Sequence, residues 1–562
     1  MSSDAASDIG RAAAGPPLAG SPLAGRSLTV AGDSTAAALA ARHLGALGCR
    51  VTREPGAGVP AGVAGRLELD GVGCTVDWAG PVRLPLASET DVQAACGIAQ
   101  VHGRRYGEPT PLGVDYAGAV AGVLAVQGLL AARLAALRGA PVREVRTSVA
   151  GAALLAVGQY LAAATAGDDE SAEGAEVAEA FTEVDLAPCE VPPFTSRDGV
   201  RFEIEALEAG RWLVFWERLG AERRAIGRGW PPFQLRFSSG VCPLPGELAG
   251  LVRGFAYHEV VAAATAAGVG IVPVRLTGVG EGGEPPWRIG GGGARWAGEP
   301  LGELGGGRLP LGGLLVVEMT RRLQGPLAGH LLALLGARVI RIEPEGGDPL
   351  RGVPPMAGDC SARFHALNRG KEAVQADPRS AAGQRAIREL VDQADVFLHN
   401  LAPGKAEAFG LGADELLADR PGLVHAWASG WGELFGPDAP VGTDYLVQAH
   451  SGLAALVTPP GRPPTPSLMT ITDIFGGLVS AEGVLAALVA RAATGCGRRV
   501  DSSLWSAARV LLGCASAPGV RGAPGGAAAS LTPGEIARDP RFAGALHRDR
   551  CLLPNSPWEF VR

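Results

Sequence analysis

A chain that contains a degraded copy of itself must build much of its fold twice, and this one repeats over two separate blocks. Laid without gaps at an offset of 355 residues, Ala117 to Gly158 matches Thr472 to Gly513. Gly122 falls on Gly477, Gly128 on Gly483, Leu130 on Leu485, Ser148 on Ser503 and Gly158 on Gly513. Asp473 falls on Gly118, and the nearby Asp115 is out of register with it. An earlier block, LTVAGDSTAAALAARHLGALGCRV from Leu28, resembles LVVEMTRRLQGPLAGHLLALLGARV from Leu315 at an offset near 287. The offsets differ by 68, so the first copy lacks a segment that the second retains. Duplication followed by loss predicts that one half keeps the chemistry and the other the shape.

At 562 residues the chain exceeds a single core. Its 47% hydrophobic and 19% charged residues describe a globular protein, and a net charge of −7 gives no basic footprint for nucleic acid. Nine cysteines form no CxxC pair and no Cys/His metal spacing, which predicts no metal and a reducing, cytoplasmic setting. The first 25 residues lack a basic start and an apolar core and read as a disordered tail rather than a signal peptide. Apolar runs near 117–137 and 474–493 are interrupted by polar residues, Glu482 among them, and predict buried helices rather than membrane spans. Lys371 and Lys405 are the only lysines among 50 basic residues, and both stand in short motifs, NRGK and NLAPGK. Codon bias explains the shortage of lysine but not those positions.

From Leu314 an apolar strand, a turn bearing Gly325 and Pro326, a helix and a second strand ending at Pro344 form a βαβ unit. EAVQAD, SAAGQRAIRELVDQA, DVFLHN and LVHAWAS continue the alternation, which predicts a doubly wound parallel sheet with ligands at the strand carboxyl ends. The organisation expected is a tail over 1–25, a degenerate first copy over 26–160, a linker over 161–189, and a small α+β unit over 190–275. A Gly-rich linker over 276–309, a complete second copy over 310–513 and a linker with a tail over 514–562 follow.

The ordered motifs LLVVEMTRRLQGPLAGHLLALLGARVIRIEPEGGDPLR, FHALNRGKEAV, ADVFLHNLAPGKAEAFGLG, WASGWG, GTDYLVQAHSGL and ITDIFGGLVSAEGVLAAL resemble family III coenzyme A transferases. That group includes formyl-CoA and carnitine CoA transferases, with the 2-methylacyl-CoA racemases as cousins. The resemblance covers residues 310–513 as the large domain and 190–275 as the small one, and reaches 26–160 faintly. It implies an α/β fold with two Rossmann-like large-domain copies and a small α+β domain, arranged as a single-chain pseudo-dimer with one active site and room for further self-association. It implies that Asp473 attacks an acyl-CoA thioester and carries coenzyme A covalently to a carboxylic acid acceptor. Read without that context, an Asp ahead of an apolar run is an N-cap. The Gly-bearing loops, Gly430 with Gly432 and Gly476 with Gly477, are either amide donors to a thioester oxygen or tight turns and packing points.

For coenzyme A, the acyl-CoA substrate, the resemblance points to Arg321, Arg322, Gly325, Pro326, Arg351, Asn368, Lys371, Asn400, Leu401 and Lys405, whose cations could neutralise phosphates. No nucleic-acid or membrane partner is expected. A racemase is the nearest alternative, but Gly442-Thr443-Asp444 stands where racemases carry GHD, leaving His450 as an unconventional base. A non-catalytic CoA-binding scaffold is a third reading. A dinucleotide-dependent dehydrogenase is disfavoured, because neither first βα loop has GxGxxG.

Overall fold

Two long helices, Tyr116–Leu137 and Ile471–Thr494, pack against each other in the computed structural model, which describes residues 21–54, 58–167, 191–278, 284–291, 301–305, 308–436, 439–516 and 529–562. Both are apolar around most of their circumference, as helices buried on all sides must be. Either could cross a membrane by length and composition, yet 83% and 94% of their apolar windows are buried inside the fold. Polar groups between them make hydrogen bonds across the contact. Tyr116 Oη donates to the carbonyl of Ile471 at 2.9 Å, and Gln127 Nε2 to that of Leu478 at 2.7 Å. Glu482, fully buried, meets His43 Nδ1 at 2.9 Å. One continuous apolar core runs through both halves.

Each long helix supports a sheet. The second sheet has seven strands in the order Glu372–Gln375, Arg338–Glu343, Leu315–Met319, Val396–His399, Val424–Ser429, Arg498–Ser503 and Trp287–Gly290. The first six run parallel, with helices Gln324–Leu334 and Ala381–Val391 among the crossovers, so the loops after Met319, Gln375, His399 and Ser429 share one edge.

The first sheet departs from the doubly wound expectation. Its order is Arg50–Arg53, Ser27–Ala31, Val63–Leu69, Val72–Asp77, Glu144–Ser148 and Glu559–Val561, and Val63–Leu69 pairs antiparallel with both neighbours. A hairpin turning at Asp70 and Gly71, both at positive φ, joins Val63–Leu69 directly to Val72–Asp77, where the second sheet joins neighbouring strands through helices. Asp-Gly flanked by alternating apolar residues is the sequence signal for such a turn. The shortened copy thus keeps a sheet of nearly the same width while losing the loops that a crossover would project.

The edge strands are exchanged between halves. Trp287–Gly290 follows the first half in the chain but pairs antiparallel with Arg498–Ser503 of the second; Glu559–Val561 follows the second half but pairs with Glu144–Ser148 of the first. Beside them, Trp287 packs on Gly483 and Trp558 on Gly128, where an added Cβ would come within 3.3 Å of Trp287 Cβ and 3.1 Å of Trp558 Cδ1. The segments read in sequence as a Gly-rich linker and a tail therefore contain the strands that close both sheets. Most of the acidic 161–189 linker and the Gly-rich run at 292–300 lie outside the described residues.

Between the halves stands a small unit. Phe194–Thr195, Arg201–Glu205 and Gly270–Pro273 form an antiparallel sheet covered by helices that include Ala209–Arg218, Arg223–Gln234 and Tyr257–Ala267. Its aromatic core, with Trp212, Trp216, Phe202, Phe215 and Phe233, also takes in Tyr445 and Leu468 of the second half.

Candidate active site

Asp473 is the third residue of helix Ile471–Thr494, and the cap at that helix end comes from elsewhere. Asp444 Oδ1 accepts from the backbone N–H of Thr472 at 2.7 Å and of Asp473 at 3.0 Å, and Asp444 also accepts from Thr472 Oγ1 and Gln448 Nε2. The carboxylate of Asp473 has no hydrogen-bond or ion-pair partner among the described residues, so it is not the helix cap. The residue before the helix, Thr470, sits at φ +57°. Arg322 sits at φ +68° on the loop after Met319. Such conformations cost a non-glycine residue roughly 1–3 kcal/mol each and collect at functional sites.

Burial and the neighbouring Asp444 push the Asp473 carboxyl well above the usual carboxylate range, against the opposing pull of Arg322. Burial also raises Asp444, to about 6, against the four hydrogen bonds that favour its ionised form. The negative charge of Asp444 thus disfavours ionisation of Asp473.

Two clefts meet at Asp473. The larger, about 730 Å³, lies along the strand carboxyl ends and is lined by Arg321, Arg322, Asn400, Leu401, Lys405, Gly430 and Asp473 from the sequence-derived set. Asn400 joins its walls, accepting from the N–H of Arg321 at 2.9 Å and donating to the Arg321 carbonyl at 2.8 Å. Arg321, Arg322 and Lys405 are exposed and have no ion-pair partner among the described residues. Arg379, Gln324 and Trp431 also line this cleft, and motif reading does not single them out. Arg379 lies just past a strand end, which is the signal that finds it.

Other members of that set sit behind the cleft. Lys371 Nζ donates to Glu318 Oε2 at 2.7 Å, to the Pro326 carbonyl at 2.7 Å and to Asn368 Oδ1 at 3.0 Å. Its side chain is 1% exposed, because the fully buried Glu318 on the strand requires cations, and Arg341 supplies the other. Arg351 makes a two-pronged contact with Glu343 in the same network. Gly325 and Pro326 are buried in the first turn of their helix, Gly325 against Thr320. Gly476 faces Leu504 and Gln324 at distances that leave little room for a side chain, which makes it a packing point, and it lines neither cleft. Gly430 does line the larger cleft, and its α-carbon lies against Gly442, where a Cβ would come to 2.4 Å. Asn368 borders the second cleft. His450 lies among Trp431, Phe435 and Trp505, outside both clefts, and burial beside Arg275 pushes it down to about 4.

The first half reproduces this framework with Gly118 in the place of Asp473. Glu89 accepts from the N–H groups of Ala117 and Gly118, both at 2.8 Å, at the start of helix Tyr116–Leu137. Gln93 Nε2 donates to Glu89 at 2.9 Å, and Gln93 Oε1 accepts from the N–H of Leu112 at 2.8 Å. Gln448 relates in the same way to Asp444 and to the N–H of Ser467, also at 2.8 Å. Each pair keeps the offset of 355, so extending the repeat toward the N-terminus would have found Asp444 from Glu89. At Gly118 an added Cβ would meet Glu89 Oε2 at 3.1 Å and Thr35 Cβ at 3.4 Å.

A family model described as CoA-transferase family III matches residues 74–278 and again 311–529. Among curated proteins, succinate–glutarate CoA-transferase of Agrobacterium fabrum is 36% identical over 204 residues, 35% of this chain and 51% of that protein. Acetyl-CoA:oxalate CoA-transferase of Acetobacter aceti is 38% identical over 199 residues, again 35% and 51%. A solved structure of a CAIB/BAIF family protein from Brucella suis aligns at 36% identity over 36% of this chain and 56% of that one, with a TM-score of 0.35. The chain spans about half the length of the curated relatives it matches.

Proposed function

The chain belongs to CoA-transferase family III, and on that premise we propose that it moves coenzyme A between an acyl-CoA thioester and a carboxylic acid through covalent bonds to Asp473. The observation that carries the proposal is an uncommitted carboxylate at the meeting point of two clefts, its own helix end already capped by Asp444. Arg321, Arg322, Arg379 and Lys405 supply positive charge along the larger cleft for the phosphates of coenzyme A.

The chemistry balances without a further reactant. An oxygen of Asp473 adds to the thioester carbonyl; the C–S bond breaks, leaving a mixed anhydride and the thiolate. The Asp473 Cγ then accepts the thiolate and releases the donor acid, so that the aspartyl thioester stores the activation. An acceptor carboxylate repeats the two exchanges in reverse and restores the free aspartate. The ionised form is the one that attacks, so the proton that burial favours on Asp473 must leave to solvent first; once ionised, a carboxylate stripped of water is a stronger nucleophile than one at the surface.

The same reading makes the molecule a single-chain pseudo-dimer with one working site. The exchanged edge strands support it, as does the replacement of the reactive position by Gly118. Mass spectrometry after incubation with acyl-CoAs should show a hydroxylamine-sensitive adduct on Asp473 that is missing from Asp473→Ala. Transfer that persists in that variant would refute the proposal.

A further inference from the structure

The segment that leads into the helix of Asp473, Pro466 to Thr470, ends with Thr470 at φ +57° on the wall of the second cleft. A threonine in the left-handed region stays there only where surrounding contacts outweigh its strain. Three buried side chains of the first half supply contacts along this segment. Arg105 donates through Nη1 to the Pro466 carbonyl at 2.9 Å and through Nη2 to the Pro192 carbonyl at 3.0 Å. His102 has Nδ1 at 2.8 Å from Ser467 Oγ and Nε2 at 3.1 Å from the Val457 carbonyl. Burial pushes His102 down to about 3, so its ring is neutral, and the carbonyl facing Nε2 fixes the one ring proton there. Nδ1 therefore accepts from the Ser467 hydroxyl, whose oxygen accepts in turn from the N–H of Met469 at 3.3 Å. Tyr116 Oη donates to the carbonyl of Ile471 at 2.9 Å, two residues before Asp473. Burial, with Asp444 and Asp473 nearby, pushes that hydroxyl well above its ordinary range, so it keeps its proton and remains a donor.

These contacts run one way. At the offset of 355 residues His102 falls on Val457, Arg105 on Pro460 and Tyr116 on Ile471, none of which has a polar side chain to return the bond. The copy that carries Gly118 thus has three polar side chains that its counterpart lacks, and all three grip the segment in front of Asp473. We propose that His102, Arg105 and Tyr116 are positioning residues for Asp473, so that the first half takes part in the reaction by fixing where that carboxylate meets the thioester. Tyr116 is the central one, because its hydroxyl reaches the first residue of the helix itself. This rests on the transfer reading, since it assigns supporting residues to the same aspartate. The competing account is that the three bonds only hold the halves together, as Gln127 does further along the same helix through the Leu478 carbonyl.

The test compares Tyr116→Phe with Gln127→Met, each of which removes one buried donor between the two long helices. Acetyl-CoA and succinyl-CoA serve as probes, and the rate of Asp473 adduct formation is followed against their concentration. In Tyr116→Phe the saturated rate should fall roughly tenfold or more while the half-saturating concentration stays within about twofold, because binding is kept and alignment is lost. Gln127→Met, whose carbonyl partner lies beyond Asp473 along the helix, should keep the saturated rate within about twofold. A saturated rate in Tyr116→Phe within about twofold of the wild type would overturn the inference, as would an equal fall in both variants. If Tyr116→Phe does not fold, His102→Gln decides by the same criteria, since it keeps a donor for the Val457 carbonyl and withdraws the ring acceptor from Ser467. Adduct formation also separates the two claims. An adduct that forms as fast in Tyr116→Phe as in the wild type sinks the positioning role and leaves transfer standing, whereas no wild-type adduct from either thioester sinks both.

Discussion

The two long helices begin in nearly the same way and differ in one side chain beside the cap. At each start an acid takes two backbone N–H groups, and a glutamine four residues later braces that acid against a loop. At one start the next position carries Asp473 beside two clefts; at the other it carries Gly118 packed against Thr35. Under the proposed transfer, capping and reacting are separable tasks here. The cap is needed wherever a helix end is buried, because its first N–H groups have no internal partner. Under the same proposal a nucleophile is needed only where a cleft delivers a substrate.

The largest break in this comparison is Asp473→Ala, which should lower transfer by on the order of 10⁴-fold or more, with the fold kept, as measured by steady-state rates and circular dichroism. Titration of an acyl-CoA against the wild type should give one site per chain; two would mean that the Gly118 end also binds. Asp444→Asn comes next. It retains an acceptor for the helix N–H groups but removes the negative neighbour, so the Asp473 pKa should fall and the acid limb of the kcat/KM profile should move to lower pH, with a loss of roughly tenfold in the plateau rate. Arg322→Gln should move the same limb the opposite way, because the cation that lowers Asp473 is gone.

The smallest effect is expected at Glu89, which burial raises to about 7. With its folded pKa above the unfolded value, its contribution is full below about pH 4.5 and is lost as pH rises through 7. Glu89→Gln should therefore flatten the fall in melting temperature between pH 5 and 8, by on the order of 1 kcal/mol at its upper end, and leave the pH profile of transfer unmoved. A shifted rate profile in that variant would show that the two helix ends communicate.

Much of this was legible before any coordinates. The offset of 355 located both helices and contrasted Asp473 with Gly118, and the βαβ alternation put Arg321, Asn400 and Lys405 at one sheet edge. The hairpin at Asp70-Gly71 was equally visible, but the expectation of a second doubly wound sheet hid it. Lys371 was beyond reach for a different reason. Whether its ammonium faces a ligand or a buried glutamate depends on the burial of Glu318, and a strand buried on both faces carries no alternation to reveal it. The edge strands could not be assigned to a sheet, since nothing local distinguishes a strand that closes its own half from one that closes the other.

That exchange has a consequence for anyone who would trim the molecule. A fragment beginning at the second copy would leave Arg498–Ser503 with a bare row of amide and carbonyl groups, and a fragment ending before it would do the same to Glu144–Ser148. Exposed rows of that kind recruit foreign strands and drive aggregation. The half that carries Gly118 in the place of Asp473 is thus bound to the other by topology, because each half closes the other's sheet.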